Sequence, residues 1–139
     1  MNGKLIFNER IYTYQIDFVG HVNNIVYVQW MENGRIRLLE AIGLPAFDLA
    51  AEDGILPVLT KTSIRYRKPI FLNNTVTIEM WISQLNNASA IMDFNFKNEK
   101  SELCATGQQS GLFIDRKTKR PARLSQGHRA AFEKFLITG

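Results

Sequence analysis

D-F-V-G-H-V-N-N-I-V-Y-V-Q-W-M-E-N-G-R, from Asp17 to Arg35, is the most informative part of this chain. Asp17 follows an extended run and Gly20 permits a sharp turn. Asn23-Asn24 can then cap a helix whose apolar residues recur at helical spacing. The free backbone N–H groups at a helix N-terminus stabilise a developing negative charge. A carboxylate beside them can act on the same carbonyl group, so this arrangement indicates acyl chemistry.

Length and composition indicate one globular domain covering residues 1–139. The chain is 45% hydrophobic and 22% charged, which is enough apolar material for one core. Charges flank the short apolar run near the N-terminus, and no apolar stretch approaches the length of a membrane span. We therefore expect neither a signal peptide nor a membrane anchor, and predict a cytoplasmic protein. The single cysteine, Cys104, excludes an intramolecular disulfide and is predicted to be a strand residue.

Positive charge is concentrated in two segments. The net charge is +4 with a pI near 9.4, and basic residues cluster at Arg65–Lys68 and Arg116–Arg120. Neither cluster belongs to a helix-turn-helix, zinc-finger or RNP-type motif, so no nucleic-acid partner is predicted. A groove for a ligand with several phosphates accounts for such clusters, and so do ordinary solvated strand ends and turns.

A long helix is predicted from about residue 24 to residue 42. Gly43 suits the left-handed position after a helix end, Leu44 can supply the accompanying apolar contact, and Pro45 prevents continuation. Gly34 costs about 1 kcal/mol relative to alanine inside a helix, and therefore indicates close packing of the helix on a sheet. The helix is predicted to have a buried and an exposed face. The buried face carries Tyr27, Trp30, Met31, Gly34, Leu38 and Ala41, and the exposed face carries Gln29, Asn33, Arg37 and Glu40.

Five strands are predicted around this helix. Their core-facing residues alternate with others, as in Val76, Ile78, Met80 and Ile82 of one strand and Ala90, Met92, Phe94 and Phe96 of the next. Asn73-Asn74 and Asn86-Asn87 are predicted to form hairpin turns, and consecutive hairpins imply an antiparallel sheet. Ser125 can cap a short C-terminal helix. The predicted strands cover residues 4–15, about 55–71, 75–83, 89–97 and about 102–115, with a short helical turn at 45–53.

The order β-α-β-β-β-β makes an α+β domain in which a five-stranded antiparallel sheet wraps one long helix. This order, the length and the pattern D-x-x-G-H-V-N-N-x-x-Y-x-x-W-x-E-x-x-R at Asp17 to Arg35 resemble the hot-dog-fold acyl-CoA thioesterases of the 4-hydroxybenzoyl-CoA thioesterase class. The run S-I-R-Y-R-K-P-I, from Ser63 to Ile70, resembles the strand that follows the helix in those proteins. The resemblance covers nearly the whole chain and implies an enzyme that releases a carboxylic acid and coenzyme A.

The resemblance places the catalytic carboxylate at Asp17, acting as a nucleophile toward the thioester carbonyl or as a base that activates water. It places the backbone N–H that polarises the thioester oxygen at Asn24, and Gly20 allows the close approach. A thiol leaves readily because its pKa is about 8.5, so no strong general acid is needed. This chain departs from many relatives at Gln15, where they carry a second acid, and at Asn86-Asn87, where some carry a basic pair.

The resemblance also implies residues that bind the substrate. His21 is predicted to be a hydrogen-bonding turn residue that shapes the site, not a metal ligand. Tyr27 and Trp30 belong either to the acyl pocket or to the core. No metal and no cofactor is expected, apart from coenzyme A as part of the substrate. Its phosphates could meet Arg65, Arg67 and Lys68 of the first basic cluster or Lys117, Lys119 and Arg120 of the second.

Several alternatives stay open. Glu32 is a rival catalytic acid, although it more simply forms an ion pair with Arg35 three residues later. Within the same fold, the protein could act on carrier-protein thioesters or bind acyl-CoA without cleaving it. A basic nucleic-acid-binding module would instead show salt-sensitive binding to DNA or RNA. An exposed sheet edge, together with the resemblance, predicts a homodimer or homotetramer that builds the site from two subunits.

Overall fold

A computed structural model describes residues 3–52 and 54–138, and the strands and helices it shows follow the predicted order. Neighbouring strands are all antiparallel, and their order across the sheet is β1-β3-β4-β5-β2. The predicted α+β architecture is therefore confirmed. The strands are β1 (Leu5–Arg10), β2 (Ile55–Tyr66), β3 (Thr75–Leu85), β4 (Ser89–Lys97) and β5 (Leu103–Asp115), and the helices are α1 (Asn24–Ala41), α2 (Ala46–Glu52) and α3 (Gln126–Phe132).

The core lies between one face of α1 and the inner face of the sheet. A Cβ atom on Gly34 would lie 2.8 Å from Met80 Sδ and 3.1 Å from Phe94 Cε1, so the close packing predicted at this glycine is confirmed. Gly107 of β5 approaches the helix even more closely, because a Cβ there would overlap the terminal methyl group of Met31. Gly34 on α1 and Gly107 on β5 thus allow the helix and the sheet to pack closely.

The ends of α1 are those that the sequence predicts. Asn23 caps its start, with its Oδ1 accepting a hydrogen bond from Ile25 N–H at 3.3 Å. Gly43 follows its end with a φ of +77°, and Leu44 N–H donates to Leu39 O at 2.8 Å. Among the residues that the structure describes, no helix is both long and apolar enough to cross a membrane.

The prediction that Ala41 belongs to the buried face of α1 is wrong. Ala41 is exposed because it is the last residue of α1, where the chain turns away through Gly43. The exposed face is as predicted. The buried residues of α1 are Val26, Tyr27, Trp30, Met31, Gly34, Leu38 and Leu39.

The first strand is shorter than the predicted residues 4–15, and that part of the prediction is wrong. β1 ends well before residue 15, and a 3₁₀ helix, Thr13–Gln15, follows it. Gln15 Oε1 accepts a hydrogen bond from Tyr12 N–H at 2.8 Å, and Gln15 O accepts one from Asn23 N–H at 2.8 Å. These bonds replace strand pairing and hold the chain close to the start of α1.

The predicted hairpin between β2 and β3 is also wrong. β2 ends at Tyr66 instead of residue 71 and pairs with β5, while β4 and β5 lie between it and β3. A turn does form at Asn73-Asn74, where Asn73 has a φ of +74° and Asn74 N–H donates to Phe71 O at 3.2 Å. It ends a connection that crosses from one edge of the sheet toward the other. A local turn signal therefore did not determine which strands pair.

The other local predictions are confirmed. Asn86 N–H donates to Ser89 O at 2.8 Å in the β3–β4 hairpin, and Ser125 Oγ accepts from His128 N–H at 3.1 Å at the start of α3. Cys104 is a buried residue of β5. α2 occupies the helical turn predicted at 45–53, of which residue 53 lies outside the described residues. The predicted core-facing strand residues Val76, Ile78, Met80, Ile82, Ala90, Phe94 and Phe96 are buried, and Met92 is half-buried.

Candidate active site

A tight loop ahead of α1 positions Asp17. An isolated antiparallel bridge joins Ile16 to Val22 across the base of this loop. Inside it, Asp17 N–H donates to His21 O at 2.7 Å and Gly20 N–H donates to Asp17 O at 3.0 Å. Gly20 has a φ of +85°, which glycine adopts without the strain that a Cβ would cause. The sharp turn predicted at Gly20 is therefore confirmed.

The carboxylate of Asp17 is anchored on one side only. Its Oδ1 accepts hydrogen bonds from Val19 N–H and His21 N–H, both at 3.0 Å. Its Oδ2 makes no hydrogen bond to another residue that the structure describes. Backbone donors thus fix the orientation of the side chain, and one oxygen is available to a substrate or a water molecule.

The first turn of α1 contributes a donor to the same place. Asn23 accepts hydrogen bonds from the amides of Ile25 and Val26, the first through its Oδ1 and the second through its backbone oxygen at 2.9 Å. Asn24 N–H, by contrast, donates to no residue within the described parts of the chain. An unpaired N–H at a helix N-terminus carries part of the positive end of the helix dipole. It can therefore bind an electron-rich oxygen.

A cleft of about 250 Å³ brings these groups together. It lies between the loop before α1, the first turns of α1 and the chain that leaves β2. The predicted site residues Asp17, His21, Asn24, Tyr27 and Lys68 all line it, together with Val22, Tyr66, Arg67 and Pro69. Tyr66 was not among the predicted site residues, although it lies within the basic run R-Y-R-K of the stretch from Ser63 to Ile70.

Three predicted site residues do not line this cleft. Gly20 shapes the loop, as described above. Trp30 is 1% exposed and packs in the core, with its ring centroid 5.4 Å from that of Tyr27, which agrees with the core interpretation of this residue. Arg65 lines a separate open pocket with Trp81 and Asp93, because successive strand residues point to opposite faces of a sheet.

The two phenols of the cleft stay neutral. Burial raises the pKa of Tyr27, and nearby Cys104 and Tyr66 raise it further. Burial also raises the pKa of Tyr66, whose ring meets that of Tyr27 edge-on at 5.2 Å. Both hydroxyl groups therefore keep their protons at neutral pH, and each can donate a hydrogen bond to a ligand.

The basic rim of the cleft consists of Arg67 and Lys68. Lys68 forms an ion pair and hydrogen bond with Glu102, which raises the pKa of Lys68 and lowers that of Glu102. Arg67 is exposed beside it. The other basic cluster, residues 116–120, follows β5 at the opposite end of the β2–β5 ladder, so within one chain it lies far from the cleft.

The remaining candidates make other contacts. Glu32 lies outside the cleft and forms the predicted ion pair with Arg35. The ring of His21 packs edge-on against Phe71, with centroids 5.0 Å apart. Gln15 uses its side-chain oxygen to close the 3₁₀ turn and does not line the cleft. Within residues 3–52 and 54–138, no group of three or more His, Cys, Asp or Glu side chains is placed to hold a metal ion.

Sequence comparison identifies the class of protein. Residues 11–132 match the thioesterase-like superfamily, and the chain belongs to this family. Together with the antiparallel sheet around α1, this match confirms the predicted hot-dog fold, and it confirms the prediction of a thioester hydrolase.

Individual relatives agree with this class. The chain is 26% identical over 125 residues to the "Putative acyl-CoA thioesterase YneP" of Bacillus subtilis, with 88% of each protein covered. It is 28% identical over 124 residues to the long-chain acyl-CoA thioesterase FadM of Escherichia coli, covering 88% of this chain and 92% of FadM. The crystal structure of the DHNA-CoA thioesterase of Staphylococcus aureus superposes with a TM-score of 0.83 at 23% identity, covering 95% of this chain and 88% of that one.

Proposed function

We propose that this protein is an acyl-CoA thioesterase that uses Asp17 as its catalytic carboxylate and the Asn24 N–H to polarise the thioester carbonyl. The observation that carries the proposal is that an unpaired carboxylate oxygen and an unpaired helix N–H line one cleft. The similar proteins named as acyl-CoA or DHNA-CoA thioesterases support the choice of substrate class. The proposal includes no metal and no cofactor beyond the coenzyme A of the substrate.

Two routes use the same groups. In the first, Oδ2 of Asp17 attacks the thioester carbon, the thiolate leaves, and water then cleaves the resulting anhydride to release the acid. In the second, Oδ2 takes a proton from a water molecule as that water attacks the thioester carbon, and the thiolate then leaves and takes up this proton, which restores the carboxylate. In both, the carbonyl oxygen becomes an oxyanion, which the Asn24 N–H stabilises at the positive end of the helix.

Arg67 is the residue that we propose for contact with a phosphate of coenzyme A. It lines the cleft and is exposed, whereas the neighbouring Lys68 is already paired with Glu102. A guanidinium group can bind two phosphate oxygens at once, which gives the contact a defined geometry. Arg65 and the second basic cluster do not line the cleft, so substitutions there serve as controls.

A homodimer is part of the proposal. β2 is an edge strand with β5 on one side, and an unpaired strand edge favours association. Exposed apolar side chains occur on β2 at Leu59 and Tyr66, and on α1 at Ile25 and Val28. Size-exclusion chromatography with light scattering should give at least a dimer, and a stable monomer would contradict a site shared between subunits.

The decisive experiment measures free thiol release from a panel of acyl-CoA thioesters. Asp17→Asn should lower kcat by about 100-fold to 10,000-fold, because asparagine keeps the anchoring oxygen but removes the base or nucleophile. Asp93→Asn is the matched control, since Asp93 lies in the open pocket on the other face of the sheet and accepts from Gln108. Unchanged turnover in Asp17→Asn would refute the mechanism, and a large loss in Glu32→Gln would identify the rival acid. If the protein cleaved carrier-protein thioesters but no acyl-CoA, its substrate would be an acyl carrier protein and not an acyl-CoA.

A second experiment tests the phosphate contact. Arg67→Gln should raise KM for an acyl-CoA by about tenfold, the loss expected for one charge-assisted contact, and leave KM for the matching N-acetylcysteamine thioester unchanged. That small thioester carries the same reacting group and no phosphates. Arg65→Gln and Lys117→Gln are controls that should change neither KM. If Lys117→Gln alone raised KM for the acyl-CoA, the second basic cluster would hold the phosphates.

A further inference from the structure

A second open concavity adjoins the cleft of the candidate active site. Its volume is about 340 Å³, and Lys68 and Pro69 line both spaces. The chain that connects β2 to β3 contributes Phe71 and Asn74 to it, and the turn between β4 and β5 contributes Glu99. The cleft alone, at about 250 Å³, is smaller than the roughly 300–1,000 Å³ of most small-molecule pockets. A ligand as large as coenzyme A must therefore extend beyond the cleft.

Phe71 gives this concavity an aromatic surface. The residue is 47% exposed, and its ring meets that of His21 edge-on, a contact that covers at most one face of the Phe71 ring. An antiparallel bridge between the backbones of His21 and Phe71 fixes its position. Nucleic-acid bases stack on exposed aromatic rings, because every base has an apolar π-face. Phe71 is therefore suited to hold a planar base.

Two polar side chains beside Phe71 are each anchored by one atom only. Asn74 Oδ1 accepts a hydrogen bond from Phe71 N–H at 3.1 Å, and Glu99 Oε1 accepts one from Thr75 N–H at 2.9 Å. The second bond ties the β4–β5 turn to the start of β3 and holds Glu99 next to Asn74. Asn74 Nδ2 and Glu99 Oε2 make no hydrogen bond to another residue that the structure describes. The concavity thus offers one fixed donor and one fixed acceptor to a ligand.

We propose that this concavity binds the adenine of coenzyme A, an inference that rests on the proposed function. The base stacks on Phe71, its N6 amino group donates to Glu99 Oε2, and a ring nitrogen on the same edge accepts from Asn74 Nδ2. Adenine carries such a donor and acceptor side by side, so one edge of the base satisfies both free groups.

The order of these groups along the chain matches the order of groups in coenzyme A. The thioester meets Asp17, the diphosphate meets Arg67, and the adenine meets Phe71. Four residues separate the last two, so their Cα atoms are at most about 14 Å apart. The diphosphate, the ribose and the long Arg67 side chain together span such a distance. Because carrier-protein thioesters have the phosphopantetheine arm but no adenine, this site would select acyl-CoA over them.

Calorimetric titration of the whole protein with coenzyme A and with 4′-phosphopantetheine tests the proposal. The second ligand lacks the adenosine part, so the wild type should bind coenzyme A about tenfold more tightly, the gain expected from one stacked base. Phe71→Leu should remove most of this difference by weakening the binding of coenzyme A. Tyr14→Leu is the matched control and should change the affinity for neither ligand, because Tyr14 is an exposed aromatic residue that lines neither space.

A second variant keeps the test valid if Phe71→Leu unfolds, which circular dichroism would reveal. Glu99→Gln retains the oxygen that accepts from Thr75 N–H and replaces the free oxygen with an amide group. That group cannot accept from the amino group of adenine, so coenzyme A should bind about threefold to tenfold more weakly.

Each outcome decides for or against the adenine site. Equal affinity for coenzyme A and 4′-phosphopantetheine, or unchanged binding of coenzyme A in Glu99→Gln or in folded Phe71→Leu, would overturn it even if the protein cleaves acyl-CoA. Binding of ADP as tightly as coenzyme A would show a site for free nucleotides and would overturn it too. If coenzyme A binding shows the expected losses but no acyl-CoA is cleaved, the adenine site stands and the proposed function fails.

Discussion

The first turn of α1 and its middle are held by different interactions. Around the first turn, Asp17 and Asn23 are exposed or half-buried, and backbone hydrogen bonds fix their side chains. In the middle, Trp30 and Gly34 are buried, and dense apolar packing against the sheet fixes the helix. The first region leaves two polar groups available to a ligand, whereas in the second a Cβ added at Gly34 would lie only 2.8 Å from Met80 Sδ.

This difference separates activity from stability. Exposed polar groups contribute little to the free energy of unfolding, whereas each buried apolar group contributes in proportion to the area and contacts it would lose. Substitutions near Asp17 should therefore change turnover more than stability. Substitutions near Trp30 should change stability first.

Trp30→Ala should have the largest effect on stability. Removing a fully buried aromatic ring typically costs about 3–5 kcal/mol, so the urea midpoint should fall sharply. Trp30→Phe is the control and should cost much less, because Trp30 Nε1 makes no hydrogen bond that would be lost. Asp17→Asn should change the midpoint by less than either. If Trp30→Ala were as stable as the wild type, packing in the middle of α1 would not be the main source of stability.

The two packing glycines should respond differently to alanine. Gly107→Ala forces a methyl group onto the buried end of Met31, and such overpacking costs about 1–3 kcal/mol. Gly34→Ala meets Met80 and Phe94 less severely and gains about 1 kcal/mol of helix propensity. Thermal unfolding should thus rank Gly107→Ala as the less stable of the two. The reverse order would show that the contact between α1 and the sheet is tighter at Gly34 than at Gly107.

Asn23→Ala should lower both stability and turnover by a moderate amount. Loss of a helix N-cap costs about 1 kcal/mol, and the first turn of α1, which carries the Asn24 N–H, should become less well ordered. Ser125→Ala removes the corresponding cap of α3, away from the cleft. Chemical denaturation and thiol-release assays of both variants should show a similar loss of stability, with lower kcat in Asn23→Ala alone.

Tyr27 belongs to both regions, since it lines the cleft and is 2% exposed. Because its pKa is raised in the folded protein, the unfolded chain ionises first, near pH 10, while the folded phenol keeps its proton. Stability from this group is thus complete below about pH 10 and decreases as the pH rises above it. Tyr27→Phe should flatten the fall of the urea midpoint between pH 9 and pH 11. Equal slopes would show that folding does not raise the pKa of Tyr27.

Prediction from sequence worked best where neighbouring residues determine the structure. The limits of α1 follow from Asn23 and Gly43, and the turn at Gly20 follows from its freedom to adopt a positive φ. Prediction from sequence failed for strand pairing, which depends on residues far apart in the chain. The turn at Asn73-Asn74 exists, yet β2 pairs with β5, because a turn residue sets the local direction of the chain and not the partner of the strand.

The candidate site shows the same division. The motif placed Asp17 beside the start of α1 from sequence alone. Only the structure showed that Tyr66 and Arg67 join that cleft whereas Arg65 does not. Strand alternation separates Arg65 from Tyr66, and Arg67 lies beyond the end of β2, where alternation no longer applies. The sequence predicted the ion pair between Glu32 and Arg35. Only the structure showed that the Nε of Arg35 is buried without a hydrogen bond.

The amino-acid sequence alone was enough to predict the limits of α1, the alternating strands, the sharp loop at Asp17 and the family. These depend on backbone preferences and short-range hydrogen bonds, which a few adjacent residues specify. The strand order and the set of residues that line the cleft became known only from the three-dimensional structure. Those depend on which surfaces meet, and that is set by the packing of the whole chain.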